Sequence, residues 1–215
     1  MRTLPLSVVF VVTFEALMAV PEARPSEAIP FRLYQNYMIL VEGRIGPLDG
    51  LTFLIDTGAS APVLSTHTAK RLGLKTQSRK AVAYGREIET KSALIRDLSL
   101  GQTQLGPVPV LIADLASLLP QIGNRIDAVI GMNSLIRVSF RIDYDSRMLT
   151  LRPPDSLPAS SPIEVHAGLP VITVRLEGEP VRLLLDTGAE QLIVFGERQE
   201  SAKKQKVLGS KTLYH

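Results

Sequence analysis

The sequence predicts a mainly β fold, with one complete barrel-like unit at residues 30–152 and part of a second unit at residues 163–215. From about residue 30, short apolar stretches alternate with turn residues, which is typical of short strands. Aromatic residues make up only 5% of the chain, so we expect a core of Val, Leu and Ile, as in a small β-barrel. The pattern of the first unit begins again after residue 162, which predicts a repeat.

The composition is that of a globular protein. Apolar residues make up 45% of the 215 residues, more than in disordered chains, and the length allows one or two domains. The net charge of +3 is small and spread along the chain, so we expect no nucleic-acid partner. The chain has no cysteine, which excludes disulfides, thiolate metal sites and Cys nucleophiles.

Residues 1–28 have the pattern of a secretory signal peptide. Arg2 supplies a positive charge, the stretch Leu4–Val12 is almost wholly apolar, and Ser26-Glu27-Ala28 is a candidate cleavage site. Glu15 interrupts the apolar stretch, which counts against a membrane-spanning helix. We therefore expect an exported protein, periplasmic or secreted, with no stable membrane span after the signal is removed. The alternative is an N-terminal segment that is frayed or buried in the fold.

Short apolar stretches bounded by turn residues predict the strands of the first unit. Ser65–Leu72 is predicted to form a short helix, which a Ser or Thr can cap and Gly73 can end. Asp114–Leu119 is predicted to form a helical turn that ends before Pro120. The predicted strands are Tyr37–Val41, Leu51–Ile55, Ala81–Tyr84, Leu94–Leu100, Val108–Ile112, Val138–Ile142 and Met148–Leu151.

A Pro- and Ser-rich stretch, residues 153–162, predicts a linker. After it, residues 171–195 parallel residues 37–65: each segment has two apolar strands around a Gly-containing turn, followed by Asp-Thr-Gly-Ala. Residues 196–209 then parallel the predicted helix of the first unit, with Gly209 as its end. In this internal repeat, Asp186 is at the position that corresponds to Asp56.

Two aspartates at the same place in a repeat predict a catalytic pair. Each follows an apolar strand, which fixes its position, and the glycine of each Asp-Thr-Gly permits a tight turn and a close approach of a second backbone. The threonine hydroxyls can link the two loops. Carboxylates about 3 Å apart cannot both ionise and therefore share one proton. One carboxylate can then accept a proton from water while the other donates a proton to a carbonyl oxygen, and these roles belong to the pair.

The sequences DTGAS at 56–60 and DTGAE at 186–190 resemble the catalytic loops of aspartic peptidases, particularly the retropepsin-like families of bacteria. Val129-Ile130-Gly131 resembles the segment that supports such a loop in the family. Residues 140–151 resemble the hairpin that closes an acid-protease-like lobe. Tyr84 and Gly85 occupy the place where these families have a flap over the substrate, so the resemblance implies that they contact the substrate. The resemblance implies that Asp56 and Asp186 are catalytic. The residues that it implies as support for the two loops are Thr57, Gly58, Ser60, Thr187, Gly188, Val129, Ile130 and Gly131.

The second copy departs from the family pattern in two ways. In relatives, a residue at the position of Ser60 hydrogen-bonds the catalytic carboxylate, whereas the second copy has Glu190, which adds a third negative charge. The second copy is also short, so we expect a truncated lobe without its own flap, supporting strand and closing hairpin. Val207-Leu208-Gly209 fits the end of a helix better than a supporting strand.

The sequence predicts an aspartic endopeptidase that acts on peptide or protein substrates without a metal or another cofactor. His67, His166 and His215 are isolated, so we expect no metal site. One alternative is a homodimer in which Asp56 pairs with Asp56 of a second chain. Another is an inactive homologue, or a module that binds extended peptides by strand addition.

Overall fold

The structure is a computed structural model that describes residues 26–83, 86–118, 126–152, 162–176, 178–190 and 194–195. Its strands form a 12-stranded sheet and a separate 4-stranded sheet, with three short helices among the described residues. The mainly β prediction is therefore confirmed. Within these ranges, no helix has the length and apolar character needed to cross a membrane.

The larger sheet holds the first twelve strands and the smaller sheet the last four. The larger sheet contains β1 (Glu27–Tyr34), β2 (Met38–Ile45), β3 (Leu48–Ile55), β4 (Val63–Ser65), β5 (Gln77–Ala83), β6 (Arg86–Ile95), β7 (Leu98–Leu100), β8 (Thr103–Gln104), β9 (Val108–Ala113), β10 (Ala128–Ile130), β11 (Phe140–Asp143) and β12 (Met148–Leu151). The smaller sheet contains β13 (Glu164–His166), β14 (Leu169–Leu176), β15 (Glu179–Leu184) and β16 (Val194–Phe195). The helices are α1 (Thr66–Arg71), α2 (Leu115–Leu118) and α3 (Met132–Leu135).

One predicted strand, Leu94–Leu100, is wrong because the chain changes partners within it. Strand β6 pairs with β9 up to Ile95, whereas β7 pairs with β2 from Leu98. The strand predicted at Val138–Ile142 begins later, at Phe140, because the Val138 N–H bonds to the Leu135 carbonyl and closes the turn after α3. An apolar stretch does not reveal a change of partner, because both strands bury their residues in the same core.

Strand β1 was not predicted: its first two residues were assigned to the signal peptide, and residues 29–34 were assigned to no element. It pairs with β12 from Glu27 and with β2 from Phe31. The Glu27 carboxylate accepts hydrogen bonds from the Gln102 N–H at 2.7 Å and the Thr103 hydroxyl at 2.8 Å. A cleavage after Ala28 would therefore remove the first two residues of a paired strand. Residues 1–25, residues 153–161 of the predicted linker and the helix predicted at 196–209 lie outside the described residues.

The core of the larger sheet fixes strands β3 and β10. Phe53, Ile55 and Ile130 are fully buried in one apolar cluster. Gly43 makes room for the Phe53 ring, since a β-carbon at residue 43 would overlap it. Strand β10 lies between β3, to which it is parallel, and β4, to which it is antiparallel. Because parallel strands end at the same edge, the residues that follow β3 and β10 emerge side by side.

The carboxylate of Asp127 connects β10 to its neighbours. It accepts hydrogen bonds from the Thr52 N–H at 3.0 Å and from the buried Thr68 hydroxyl at 2.7 Å. Ser65 caps α1 by accepting from the Thr68 N–H, as its position predicted, and Gly73 follows the helix with a φ of 59°. This network joins β3, α1 and β10 below the loop that carries Asp56.

The smaller sheet is built around the β14–β15 hairpin, which turns at Gly178 with a φ of 89°. Val171 on β14 is buried, but the apolar side chains of β15 are only half-buried. The Leu185 N–H bonds to the Pro170 carbonyl at 2.9 Å, so the chain that leaves β15 stays beside β14. This hairpin carries Asp186 toward the larger sheet.

Candidate active site

Asp56 lies directly after β3, and its own loop orients it. Its N–H donates to the Ile130 carbonyl of β10 at 3.1 Å, which continues the ladder between the two parallel strands. Its Oδ1 accepts hydrogen bonds from the N–H groups of Gly58 at 2.9 Å and Ala59 at 3.1 Å. The turn therefore closes on the carboxylate and holds it at the edge of the sheet.

Asp186 lies two residues beyond β15, and its loop closes in the same way. Its Oδ1 accepts a hydrogen bond from the Gly188 N–H at 2.8 Å. Asp186, Thr187 and Gly188 are all half-buried, although the sheet that carries them is largely exposed. The first sheet supplies this burial, because the second loop packs on the first.

Two threonines join the loops by four hydrogen bonds. The Thr57 N–H donates to Thr187 Oγ1 at 3.1 Å, and the Thr187 N–H donates to Thr57 Oγ1 at 3.0 Å. Each hydroxyl then donates to a carbonyl of the opposite chain segment. Thr57 Oγ1 donates to Leu185 at 2.5 Å, and Thr187 Oγ1 donates to Ile55 at 2.8 Å. Thr57 is buried, so water does not compete for these hydrogen bonds.

Each glycine of the two loops faces the aspartate of the other loop. A β-carbon on Gly58 would overlap the Asp186 carboxylate. A β-carbon on Gly188 would lie 2.7 Å from Cγ of Asp56, closer than carbon atoms approach in proteins. Both positions therefore require glycine because of the close approach of the opposite carboxylate, and the two carboxylates lie together at the junction.

The environment of Asp56 favours its protonated form. Burial is the largest cause, followed by the negative charge of Asp186, and together they raise the pKa of Asp56 to about 6. The N–H groups of Gly58 and Ala59 oppose this rise by stabilising the carboxylate, whereas a side-chain hydrogen bond with Asp186 adds to it. An acid with this pKa holds its proton through the mildly acidic range, beside a second carboxyl group.

The segment Val129-Ile130-Gly131 lies beside the first loop. Gly131 faces the loop so closely that a β-carbon would lie 2.9 Å from the Ala61 carbonyl oxygen. Helix α3 follows at once, and its first N–H groups bond to the loop: Met132 donates to Ala59 at 2.8 Å, and Asn133 donates to Ser60 at 3.2 Å. Helix α3, which is only four residues long, was not predicted from the sequence.

The structure does not show the hydrogen bond expected between Ser60 and Asp56. Ser60 is exposed, and backbone N–H groups donate to Asp56 Oδ1 instead. Ser60 lies beside the β13–β14 turn, where a β-carbon on Gly168 would lie 3.7 Å from the Ser60 β-carbon. Glu190 is also exposed and lies near Tyr37, since burial and then the charge of Glu190 raise the pKa of that phenol.

Tyr84 and Gly85, the predicted flap residues, lie outside the described residues. The strands on either side of them are described, and β5 pairs with β6 from Ala83↔Arg86 to Gln77↔Ser92. The hairpin predicted to carry the flap is therefore present up to the residues next to its tip. Across the parts of the chain that the structure describes, no three His, Asp or Glu side chains are grouped as a metal site.

Comparison with known proteins gives a family match over part of the larger sheet. Residues 41–134 match the family model described as aspartyl protease. The chain is also similar to the crystal structure of a retropepsin-like aspartic protease from Rickettsia conorii, with 20% sequence identity and a TM-score of 0.43. The match covers 59% of this chain and 89% of the Rickettsia chain. No curated protein matches the chain. The segment that holds Asp56 and strand β10 is therefore similar to the aspartyl protease family.

Proposed function

We propose that this chain is an aspartic endopeptidase in which Asp56 and Asp186 of the same chain form the catalytic pair. One observation carries the proposal: Thr57 and Thr187 exchange hydrogen bonds between their N–H groups and hydroxyls. These bonds hold the two aspartate loops together without a second chain. The family match over residues 41–134 supports the reaction class, and peptide or protein substrates follow from it.

We also propose that the smaller sheet is part of a second lobe of the same kind as the first. In the first sheet, the β2–β3 hairpin leads into Asp56, and in the second the β14–β15 hairpin leads into Asp186. The two Asp-Thr-Gly loops then make equivalent hydrogen bonds to each other. The family match ends at residue 134, so the support for this lobe is the repeat in sequence and the pairing of the loops.

The raised pKa of Asp56, about 6, allows one carboxyl of the pair to act as a proton donor and the other as a proton acceptor. With one carboxyl protonated and one ionised, the ionised group takes a proton from a water molecule, whose oxygen attacks the carbonyl carbon of the peptide bond. The protonated group donates its proton to the carbonyl oxygen. The resulting diol then breaks at its C–N bond: the leaving nitrogen takes a proton from the protonated carboxyl of the pair, and one hydroxyl of the diol returns a proton to the ionised carboxyl. The products are a carboxylic acid and an amine.

The homodimer through Asp56 is a second arrangement for the same chemistry. The contacts of the first loop favour the single-chain pair, because Thr57 already bonds to Thr187 and Leu185, and Gly58 already faces Asp186. A second copy of the first loop would have to displace the second loop from these positions. We propose export as well, on the pattern of residues 1–28, and a linker at 153–162, on its Pro and Ser content.

Asparagine substitutions test the proposal. Asp56→Asn and Asp186→Asn each remove one carboxyl group at nearly constant volume, and we expect either to abolish cleavage of a quenched peptide library. Asp145→Asn, an exposed residue of the β11–β12 turn, is the matched control and should keep full activity. Full activity in Asp186→Asn, in a protein that sediments as a dimer, would replace the single-chain pair by the homodimer. A wild-type protein that binds peptides without cutting them would overturn the peptidase proposal.

A further inference from the structure

We propose that Glu190 makes the site select a basic substrate side chain on one side of the cleaved bond, while Ser60 leaves the other side without charge. The inference rests on the proposed peptidase function, because it assigns substrate contacts to the two ends of that site. It concerns side chains beside the bond and leaves the roles of Asp56 and Asp186 unchanged.

The two loops are related by an approximate twofold relation in their contacts. Thr57 and Thr187 make equivalent hydrogen bonds to each other. Gly58 faces Asp186 just as Gly188 faces Asp56. Residues at the same distance along the two loops must therefore lie at equivalent places on opposite sides of the pair of carboxyls.

Ser60 and Glu190 are such a pair of residues, and their surroundings obey the same relation. Ser60 lies beside Gly168, in the turn that precedes β14. Glu190 lies near Tyr37, in the segment that precedes β2. Each residue thus lies near the first turn of the opposite sheet. Both turns contain two successive residues with positive φ: Gln35 (50°) and Asn36 (66°), and Ala167 (51°) and Gly168 (81°).

The charge of Glu190 is available to a substrate. Glu190 is exposed, and the ion pairs among the described residues are Lys80–Glu87 and Arg182–Glu164, so no cation of that part of the chain neutralises it. Its neighbour Tyr37 carries no positive charge. A Lys or Arg side chain can neutralise an uncompensated carboxylate at the rim of a cleft, whereas an acidic side chain is repelled.

An extended peptide across the pair of carboxyls meets different chemistry at its two ends. One end passes a small neutral hydroxyl at Ser60 and the other passes the carboxylate of Glu190. The repeat makes the backbone of the site nearly symmetric, so this difference in side chains gives the substrate a direction. We expect Lys to be preferred over norleucine, its uncharged equivalent in length, by about fivefold on one side only, the size of one partly exposed ion pair.

The test compares peptides that differ by Lys or norleucine at one position on either side of the cleaved bond. The wild-type ratio of kcat/KM for Lys over norleucine should be about five on one side and near one on the other. Glu190→Ser should bring both ratios to about one. The exchange Ser60→Glu with Glu190→Ser should move the preference to the opposite side. Glu179→Ser, which removes an exposed glutamate elsewhere on the second sheet, should keep the wild-type ratios.

Binding of uncleavable reduced-amide versions of the same peptides separates this inference from the peptidase proposal. Cleavage with no Lys preference, or a preference that Glu190→Ser retains, overturns the role of Glu190 and leaves the peptidase intact. Binding with a Lys preference that Glu190→Ser removes, in a protein that cuts nothing, supports the role of Glu190 and overturns the peptidase. A protein that neither binds nor cuts the peptides overturns both.

Discussion

Thr57 and Thr187 each donate a backbone N–H to the hydroxyl of the other, at 3.1 and 3.0 Å, so that two loops far apart in sequence become one unit. Each hydroxyl in turn donates a hydrogen bond to a carbonyl of the opposite segment, Leu185 or Ile55. Each threonine hydroxyl thereby accepts one hydrogen bond and donates another within the junction. This arrangement brings Asp56 and Asp186 together.

Replacing Thr57 by Val should loosen the junction. Valine keeps the shape of threonine but removes the hydroxyl, which leaves the Leu185 carbonyl and the Thr187 N–H without their partner. We expect a loss of about 1–3 kcal/mol in the free energy of unfolding of the junction, and a fall in peptide cleavage of at least tenfold. Urea unfolding and kcat/KM measure the two effects. Thr57→Ser keeps the hydroxyl and should recover most of the activity; equal activity in the Val variant would contradict this role.

Replacing Gly58 or Gly188 by Ala should displace the opposite carboxylate. The new methyl group would overlap Asp186 or Asp56, and a displacement of about 1 Å can lower a rate roughly 100-fold. Gly178→Ala is the control, because no atom lies within 4 Å of its β-carbon and its φ of 89° imposes backbone strain alone. That variant should lose some thermal stability and keep its activity. A fully active Gly58→Ala protein would show that the loops are not in contact during catalysis.

The raised pKa of Asp56 predicts how stability changes with pH. The folded protein holds this proton up to about pH 6, whereas the unfolded chain releases it near 3.8, so folding is disfavoured as pH rises from about 4 to 6. The cost is about 3 kcal/mol at neutral pH and absent below pH 4. Asp56→Asn should therefore be more stable than the wild type at pH 7, and the difference should vanish near pH 4. Denaturant unfolding at several pH values measures it, and a constant difference would disprove it.

The same pKa predicts the upper limit of the activity profile. One carboxyl of the pair must be protonated, and this form is lost as pH rises through about 6. We expect kcat/KM to fall about tenfold per pH unit above that value. The measurement uses a substrate without ionisable side chains, so that only the enzyme titrates. A profile that stays level to pH 8 would require another proton donor.

Removal of the Asp127 carboxylate should destabilise the first sheet. Asp127→Ala leaves the Thr52 N–H and the buried Thr68 hydroxyl without an acceptor. We expect a loss of about 2–6 kcal/mol in the free energy of unfolding, the sum of two unsatisfied groups. Asp145→Ala, in an exposed turn, should change stability by less than about 0.5 kcal/mol. Similar unfolding midpoints for the two variants would show that water replaces Asp127.

Several elements were predictable because their signals are local. Strands Met148–Leu151 and Val108–Ala113 follow from apolar stretches between turn residues. Helix α1 begins after Ser65 and ends before Gly73 because the cap and the positive φ act on neighbouring residues. Strand β5 extends further back than predicted, to Gln77, because its exposed half is polar and has no apolar pattern.

By itself, the sequence determined a mainly β chain, a repeated Asp-Thr-Gly and a short segment suited to support the first copy. Only the tertiary structure decided that β10 lies between β3 and β4, that each glycine faces the opposite aspartate, and that Glu190 lies near Tyr37 while Ser60 lies near Gly168. Helix and strand propensities and helix caps depend on residues that are adjacent in sequence, so they can be predicted from the sequence. Contacts between remote segments depend on which surfaces bury each other, and the pKa of Asp56 changes only after that burial has occurred.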